Sequence, residues 1–433
     1  MSRRRLGAPI AWAAAVALSV AAAAAAAPPP PARCVPIAAG ADLAAALAAV
    51  PEGGTACLAP GDHRGPVVLD RRLTLQGPPE AVVRSHGSGS TIRVEARGAA
   101  LLGFTVDGSG GRFDLLDAAV RIGADDVRVE GLHVRNALFG ILAEQASRLR
   151  VLDNRIDGAP GRVLGMRGDA IRLWEVRDSR IEGNRVSDAR DVVVWYSPGN
   201  RIEGNRIERG RYGIHFMYSH RNHVVGNELR ENVVGMFFMY SRDVEVRANL
   251  VAASGGAAGV GLGAKESSTL RVVGNGFVAN TVGVYLDTSP LDPADENLFL
   301  GNAFRFSEAA VVFHGRAAGN RFAGNRFRDN DTPVRVDGRG DARAAEWVGN
   351  EYSDYAGYDL DGDGIGDVPY ELRSVSSTFV GRVPALAFFR GSVAMQLVEL
   401  VSRALPLFRT TTLLVDPEPR MRLADPAVLV AER

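Results

Sequence analysis

Asparagine recurs along this chain at Asn154, Asn184, Asn205, Asn227, Asn249, Asn275, Asn302, Asn325 and Asn350. From Asn205 to Asn227 to Asn249 the step is 22 residues each time, and YGIHFMYS (212–219) returns as VGMFFMYS (234–241). Self-similarity at so short a period constrains the fold to a solenoid. Each repeat is one coil, too small to bury its apolar face alone, and it stacks on its neighbours. Longer steps place loops at 157–168 and 287–296. An apolar residue stands three positions before each asparagine (Val151, Ile181, Ile202, Val224, Val246, Val272, Phe299, Phe322, Trp347), and another follows two positions after most of them, such as Ile156, Val186 and Ile207. Short apolar segments separated by turn residues predict an all-β parallel β-helix with coils of about 22 residues rather than stacked helices. The asparagines are expected to stack in a turn and bond from coil to coil.

The same register separates inside from outside. Eleven and thirteen positions before the asparagine the residues are apolar in coil after coil, as in Ile214, Phe216, Met236 and Phe238. Strand side chains alternate faces, so these sets point inward. The sets at ten and twelve must then point outward, and they hold Trp174, Trp195, Met217, Met239, His215 and Phe237. An outward apolar stripe marks a binding face. Two thioethers beside an imidazole suit Cu(I), a soft ion, and His220 and His223 in the following turn could add nitrogen donors. A Met- and Trp-rich stripe equally suits docking of another protein through Trp174, Trp195 and Phe237. Exposed aromatics also suit a carbohydrate-binding or carbohydrate-cleaving β-helix, but nothing in the spacing of Asp107, Asp114, Asp117, Asp125 and Asp126 selects a catalytic pair. The residues alone leave these readings open, with a non-enzymatic role favoured.

The flanks are read more simply. Lys plus Arg equals Asp plus Glu, 50 against 50, so no global field draws the chain to nucleic acid. Residues 1–27, with Arg3, Arg4 and Arg5 ahead of an Ala-rich run, read as an export signal to the periplasm. Residues 28–65 read as a linker and N-terminal cap, and in an oxidising compartment Cys34 and Cys57 are expected to form a disulfide. The solenoid is placed at 66–356. An Asp-rich loop and the end of the solenoid follow at 357–384, where Asp359, Asp361, Asp363, the Ile365 carbonyl and Asp367 match the start of a calcium loop. Tyr370 stands where a bidentate glutamate would close that loop, so structural Ca²⁺ and a metal-free acidic turn both fit. Residues 385–433 read as an amphipathic helix and an extended, Pro-interrupted tail, mobile unless it has a partner. The helix face carrying Phe389, Val393, Leu397 and Leu400 either caps the solenoid or docks on a membrane protein or bilayer. No mature transmembrane span is expected.

The tandem MYS coils, GVGLGAKES, DGDGIGDVPY and the tail LFRTTTLLVDPEPRM resemble the NosD family, periplasmic maturation proteins of nitrous oxide reductase. The resemblance covers essentially all of the chain after residue 27. It implies a right-handed parallel β-helix that works with an ABC ATPase and permease of the inner membrane. It also implies a role in assembling the copper–sulfur centre of the apo-reductase, with a copper-carrying lipoprotein chaperone as donor. Met217, Met239 and His215, read from the register, lie on the motif that carries the resemblance, as transient Cu(I) ligands. The permease becomes the expected partner of the C-terminal helix.

Overall fold

The computed structural model describes residues 34–374, 384–389, 392–404 and 411–422. The segment read as an export signal, residues 1–27, and the Pro-rich segment after it lie outside the described residues. The chain winds through three parallel sheets of 14, 13 and 12 strands, and within each sheet a strand pairs with its counterpart one coil on. In the 14-stranded sheet Ile181, Ile202, Val224 and Val246 are successive partners. In the 13-stranded sheet the series is Ile207, Leu229 and Val251. In the 12-stranded sheet it is Ile214, Met236 and Leu262. All ten of these are buried in one continuous core. Aromatic rings stack along the same axis: Phe277, Phe304 and Phe327 at 5.1 and 5.0 Å, and Phe299, Phe322 and Trp347 at 4.5 and 4.4 Å. Like on like at every rung is what a solenoid demands, because each side chain's neighbour is its own equivalent.

The asparagines occupy one buried turn. Asn205 donates its backbone N–H and its Nδ2–H to Asn227 Oδ1, both at 2.9 Å, and a second Nδ2–H to the Ile181 carbonyl at 2.8 Å. The pattern repeats from Asn154 to Asn350. Each amide thus satisfies backbone groups that the turn would otherwise bury unpaired. The residue before each asparagine adopts a left-handed φ, 61° at Gly204 and 64° at Gly226. Glycine reaches that region without a Cβ penalty, which accounts for the recurring Gly-Asn pair.

Both ends of the solenoid differ from the sequence-based boundaries. The first coil starts at Cys34, not near residue 66: Cys34–Ile37 pairs with Thr55–Leu58 in the 14-stranded sheet, and Gly61–Arg64 opens the 13-stranded one. The strand pattern there is interrupted by helix Leu43–Ala48, whose Leu43 and Leu47 close the end of the core. Asp42 caps the helix N-terminus, and Arg71 donates to the Leu47 and Val50 carbonyls at its other end. Cys34 and Cys57 are joined in a disulfide with Cα atoms 5.9 Å apart.

At the far end, the tail expected to be mobile is a strand. Thr411–Asp416 pairs antiparallel with Tyr370–Ser374. It delivers the buried Asp416 carboxylate to the top of the asparagine ladder. Asp416 accepts from Gly349 N–H (3.1 Å), Asn350 N–H (3.0 Å), Asn350 Nδ2–H (2.9 Å) and Tyr352 O–H (3.2 Å). It takes the place of the asparagine that a further coil would have supplied. Burial, with the Asp416 charge alongside, raises the Tyr352 phenol well above its ordinary value.

Candidate functional site

The outward face of the 12-stranded sheet carries two columns. One runs Trp174, Trp195, Met217, Met239, Lys265, the other Arg172, Val193, His215, Phe237, Gly263, each residue the Cα partner of the next. Met217 and Met239 lie outside the core and are half-buried, whereas Phe216 and Phe238, their neighbours along the same two strands, are fully enclosed. Adjacent rungs are about 4.8 Å apart.

The stripe is not flat. His215, read as outward and open, is only 8% exposed, because rings close over it from both sides. Tyr212 stacks on the imidazole at 4.6 Å, and Trp195 meets it edge-on at 5.5 Å. The Phe237 ring lies over the space where a Cβ at position 263 would stand, 2.3 Å from that point, which is why a glycine faces it. Trp174 is edge-on to Trp195 at 5.9 Å. Burial pushes the His215 imidazole down to about 4, so the ring is neutral at pH 7. Its Nε2 stands 3.4 Å from Met239 Sδ. Its Nδ1, like Trp195 Nε1, has no hydrogen-bond partner among the described residues.

A charged margin supports these rings. Arg172 lies over the faces of Trp195 (4.9 Å) and Trp174 (5.6 Å) and pairs with Asp169 at 3.2 Å. Asp169 also receives Arg190 at 2.8 Å. Burial raises the Asp169 carboxyl above its usual range, against the pull of Arg190 and Arg172. Asp191 is clamped by Arg211, whose guanidinium sits 5.0 Å over the Tyr212 ring. Sequence reasoning missed the roles of Tyr212, Arg211, Asp169 and Asp191. Their partners on neighbouring coils are of other types, so no repeated column announces them.

Below the methionines, Tyr196, Tyr218 and Tyr240 stack at 5.4 and 4.8 Å in the turn. All three adopt left-handed φ of 50–53°, and the first two are exposed. A cleft of about 510 Å³ opens beside them, lined by Tyr218, Tyr240, Arg242, Leu291 and Pro293.

The two further histidines are not brought to the methionine pair. His223 lies in the 14-stranded sheet and bonds Glu245 at 3.1 Å. His220 uses Nδ1 to accept the Arg242 N–H at 3.1 Å. A spacing of three and six residues past Met217 carries the chain around the turn, off the strand that holds the thioethers.

In the Asp-rich loop, ligand oxygens of Asp359, Asp361 and Asp363 lie within 4.8 Å of one another. Partial desolvation works to raise Asp359, but N–H groups of Gly364 and Gly362 hold it below its ordinary value. Asp367 turns instead to the Leu360 N–H at 2.7 Å, and Ile365 forms a bridge with Arg420. Farther on, helix Val393–Ala404 exposes Val393, Leu397 (54%), Leu400 (64%) and Val401, and Phe389 is exposed in the preceding turn. Among the described residues no helix is long and apolar enough to cross a membrane.

The NosD family model, described as "Periplasmic copper-binding protein (NosD)", matches residues 152–357, the coils that hold the methionine pair. A Pseudomonas aeruginosa protein named "Probable ABC transporter binding protein NosD" is 30% identical over 416 residues, covering 84% of this chain and 88% of the relative. A protein of the same name from Stutzerimonas stutzeri is 27% identical over 400 residues, covering 86% and 88%. Among solved structures, the Azotobacter vinelandii mannuronan C-5 epimerase AlgE6 A-module superposes with TM-score 0.50 at 15% identity, covering 70% of this chain and 93% of the module. That likeness shows the β-helix and nothing of the chemistry. The similarity along nearly the whole length of the Pseudomonas relative places this chain in the NosD family.

Proposed function

We propose that this protein is a non-enzymatic periplasmic carrier that receives Cu(I) and hands it on while associated with an ABC transporter. His215, Met239 and Met217 are its transient ligands. The supporting observation is the convergence of His215 Nε2 and Met239 Sδ at 3.4 Å. Metal bonds of about 2.0 Å to nitrogen and 2.3 Å to sulfur at a near-tetrahedral angle put two donors ~3.5 Å apart. A neutral imidazole keeps a lone pair for the metal, and thioethers favour a soft monovalent ion. The half-buried methionines keep the site accessible from one side, which suits transfer better than storage.

In this reading the copper comes from a lipoprotein chaperone and goes to apo nitrous oxide reductase. Trp174, Trp195 and Phe237 contact those partners, and the apolar face of the C-terminal helix holds the permease, keeping the protein peripheral to the inner membrane. The Asp359–Asp361–Asp363 loop takes a structural Ca²⁺.

Anaerobic Cu(I) titration tests the carrier reading. The intact protein is expected to bind one Cu(I). Met217→Ala with Met239→Ala is expected to keep its far-ultraviolet dichroism and to lose at least about 100-fold in affinity, since losing even an outer-shell partner of a metal ligand costs about 10–100-fold. An unchanged titration of the double variant would end the reading.

A further inference from the structure

The charges around the methionine pair bear on which ions it can accept, an inference that rests on the copper reading above. The three assigned ligands are all neutral. Their surroundings are not. Lys265 is the next rung after Met239 in the same column, with no ion pair among the described residues. Arg172 lies on the far side, over Trp195, which touches the His215 ring. Arg211 lies over Tyr212, which stacks on that same ring.

The nearby carboxylates are already engaged. Asp169 is shared by Arg172 and Arg190, and Asp191 by Arg211 and Arg190. Both aspartates are buried. Asp287 stands beyond Lys265, one rung farther from the methionines. Four cations therefore stand against three carboxylates, Asp169, Asp191 and, beyond Lys265, Asp287, at the margin of an uncharged ligand set.

We propose that this margin is a charge filter: Arg172, Arg211 and Lys265 let the site accept a monovalent soft cation and turn away divalent ions. Thioethers alone discriminate by softness, and an imidazole binds Zn(II) and Cu(II) readily. A net surplus of positive charge adds a penalty proportional to the charge on the ion. Each positive charge in this margin, partly screened by solvent, weakens binding roughly threefold for each added unit of ion charge. The ion pairs also explain why Asp191, on the strand beside His215, does not serve as a ligand. Arg211 holds its carboxylate, and Tyr212 N–H donates to it at 3.1 Å.

The test uses Ag(I) and Zn(II), both closed-shell ions, in competition titrations of the full chain. Arg211→Gln removes one charge and leaves Asp191 to Arg190, at 3.6 Å, alone. Lys265→Gln removes another at a position in no ion pair and is expected to fold normally. Each variant is expected to bind Zn(II) about tenfold tighter than the intact protein, while Ag(I) affinity changes less than about threefold. Arg211→Gln is expected to show the larger gain, since it also takes from Asp191 the nearer of its two arginines. Should Arg211→Gln fail to fold, Lys265→Gln carries the test alone.

Unchanged Zn(II) affinity in a folded variant that still binds Ag(I) overturns the filter and leaves the carrier reading standing. No Ag(I) binding by the intact chain overturns both. Equal gains for Ag(I) and Zn(II) overturn the filter as well, because a charge term must scale with the charge of the ion.

Discussion

Replacing Asp416 by alanine tests the account of how the solenoid ends. The carboxylate is fully buried and accepts from two N–H groups of the last turn, the Asn350 amide and the Tyr352 hydroxyl. Alanine leaves Asn350 N–H, Asn350 Nδ2–H and Tyr352 O–H without an acceptor. At about 1–3 kcal/mol for each buried unpaired donor the gross cost is several kcal/mol. Water entering the opened end returns part of it, so a net loss of about 3–4 kcal/mol is expected. Asp416→Asn keeps an acceptor oxygen and reproduces what every other rung uses, so it should cost no more than about 1 kcal/mol. A repeat protein can lose its end without global unfolding. The informative assay is therefore hydrogen exchange at 346–352 beside a urea melt. Alanine is expected to deprotect Asn350 and Tyr352 strongly, and the effect should fade over the preceding coils. If exchange at Asn350 is unchanged and the melt moves by less than about 0.5 kcal/mol, Asp416 does not terminate the ladder and the reasoning fails.

Four further outcomes are expected. Because His215 is pushed down to about 4 by burial, the folded ring stays neutral while the unfolded one protonates near 6.5. Stability should therefore fall as pH drops from about 6.5 to about 4, by up to ~3 kcal/mol, and His215→Gln should flatten that segment of a denaturation–pH curve. Cu(I) affinity, by contrast, should hold down to about pH 5 and fall as pH approaches 4. A chelator should lower the melting temperature of the intact protein by a few degrees and leave Asp361→Asn/Asp363→Asn unmoved; a melt indifferent to chelator removes calcium from the loop. Leu397→Glu with Leu400→Glu, on an exposed helix face, should leave the melt within about 0.5 kcal/mol but abolish co-purification with the permease. Retained co-purification would place the transporter contact elsewhere.

What the sequence determined is whatever repeats. In a solenoid a residue's closest neighbour is its equivalent one coil away, so a contact in space is a fixed offset in sequence. The asparagine ladder, the inward column of Ile214, Met236 and Leu262, and the pairing of Met217 with Met239 could all be read from periodicity. Glycine before most of these asparagines repeats with them, but it was the structure that showed the left-handed turn it serves. The tertiary structure alone decided contacts with no such offset. Tyr212 and Trp195 enclose His215 through ring orientations that a column of letters does not encode, and this turned an expected open ligand into a buried one. His223 left the site because the turn after Met217 carries it to another sheet. Asp416, 66 residues beyond Asn350, reaches the ladder because the tail doubles back on Tyr370–Ser374. Periodic order follows from local stacking, but the charged rim of the site and the closing of its far end depend on rotamers and on a chain return, which only packing fixes.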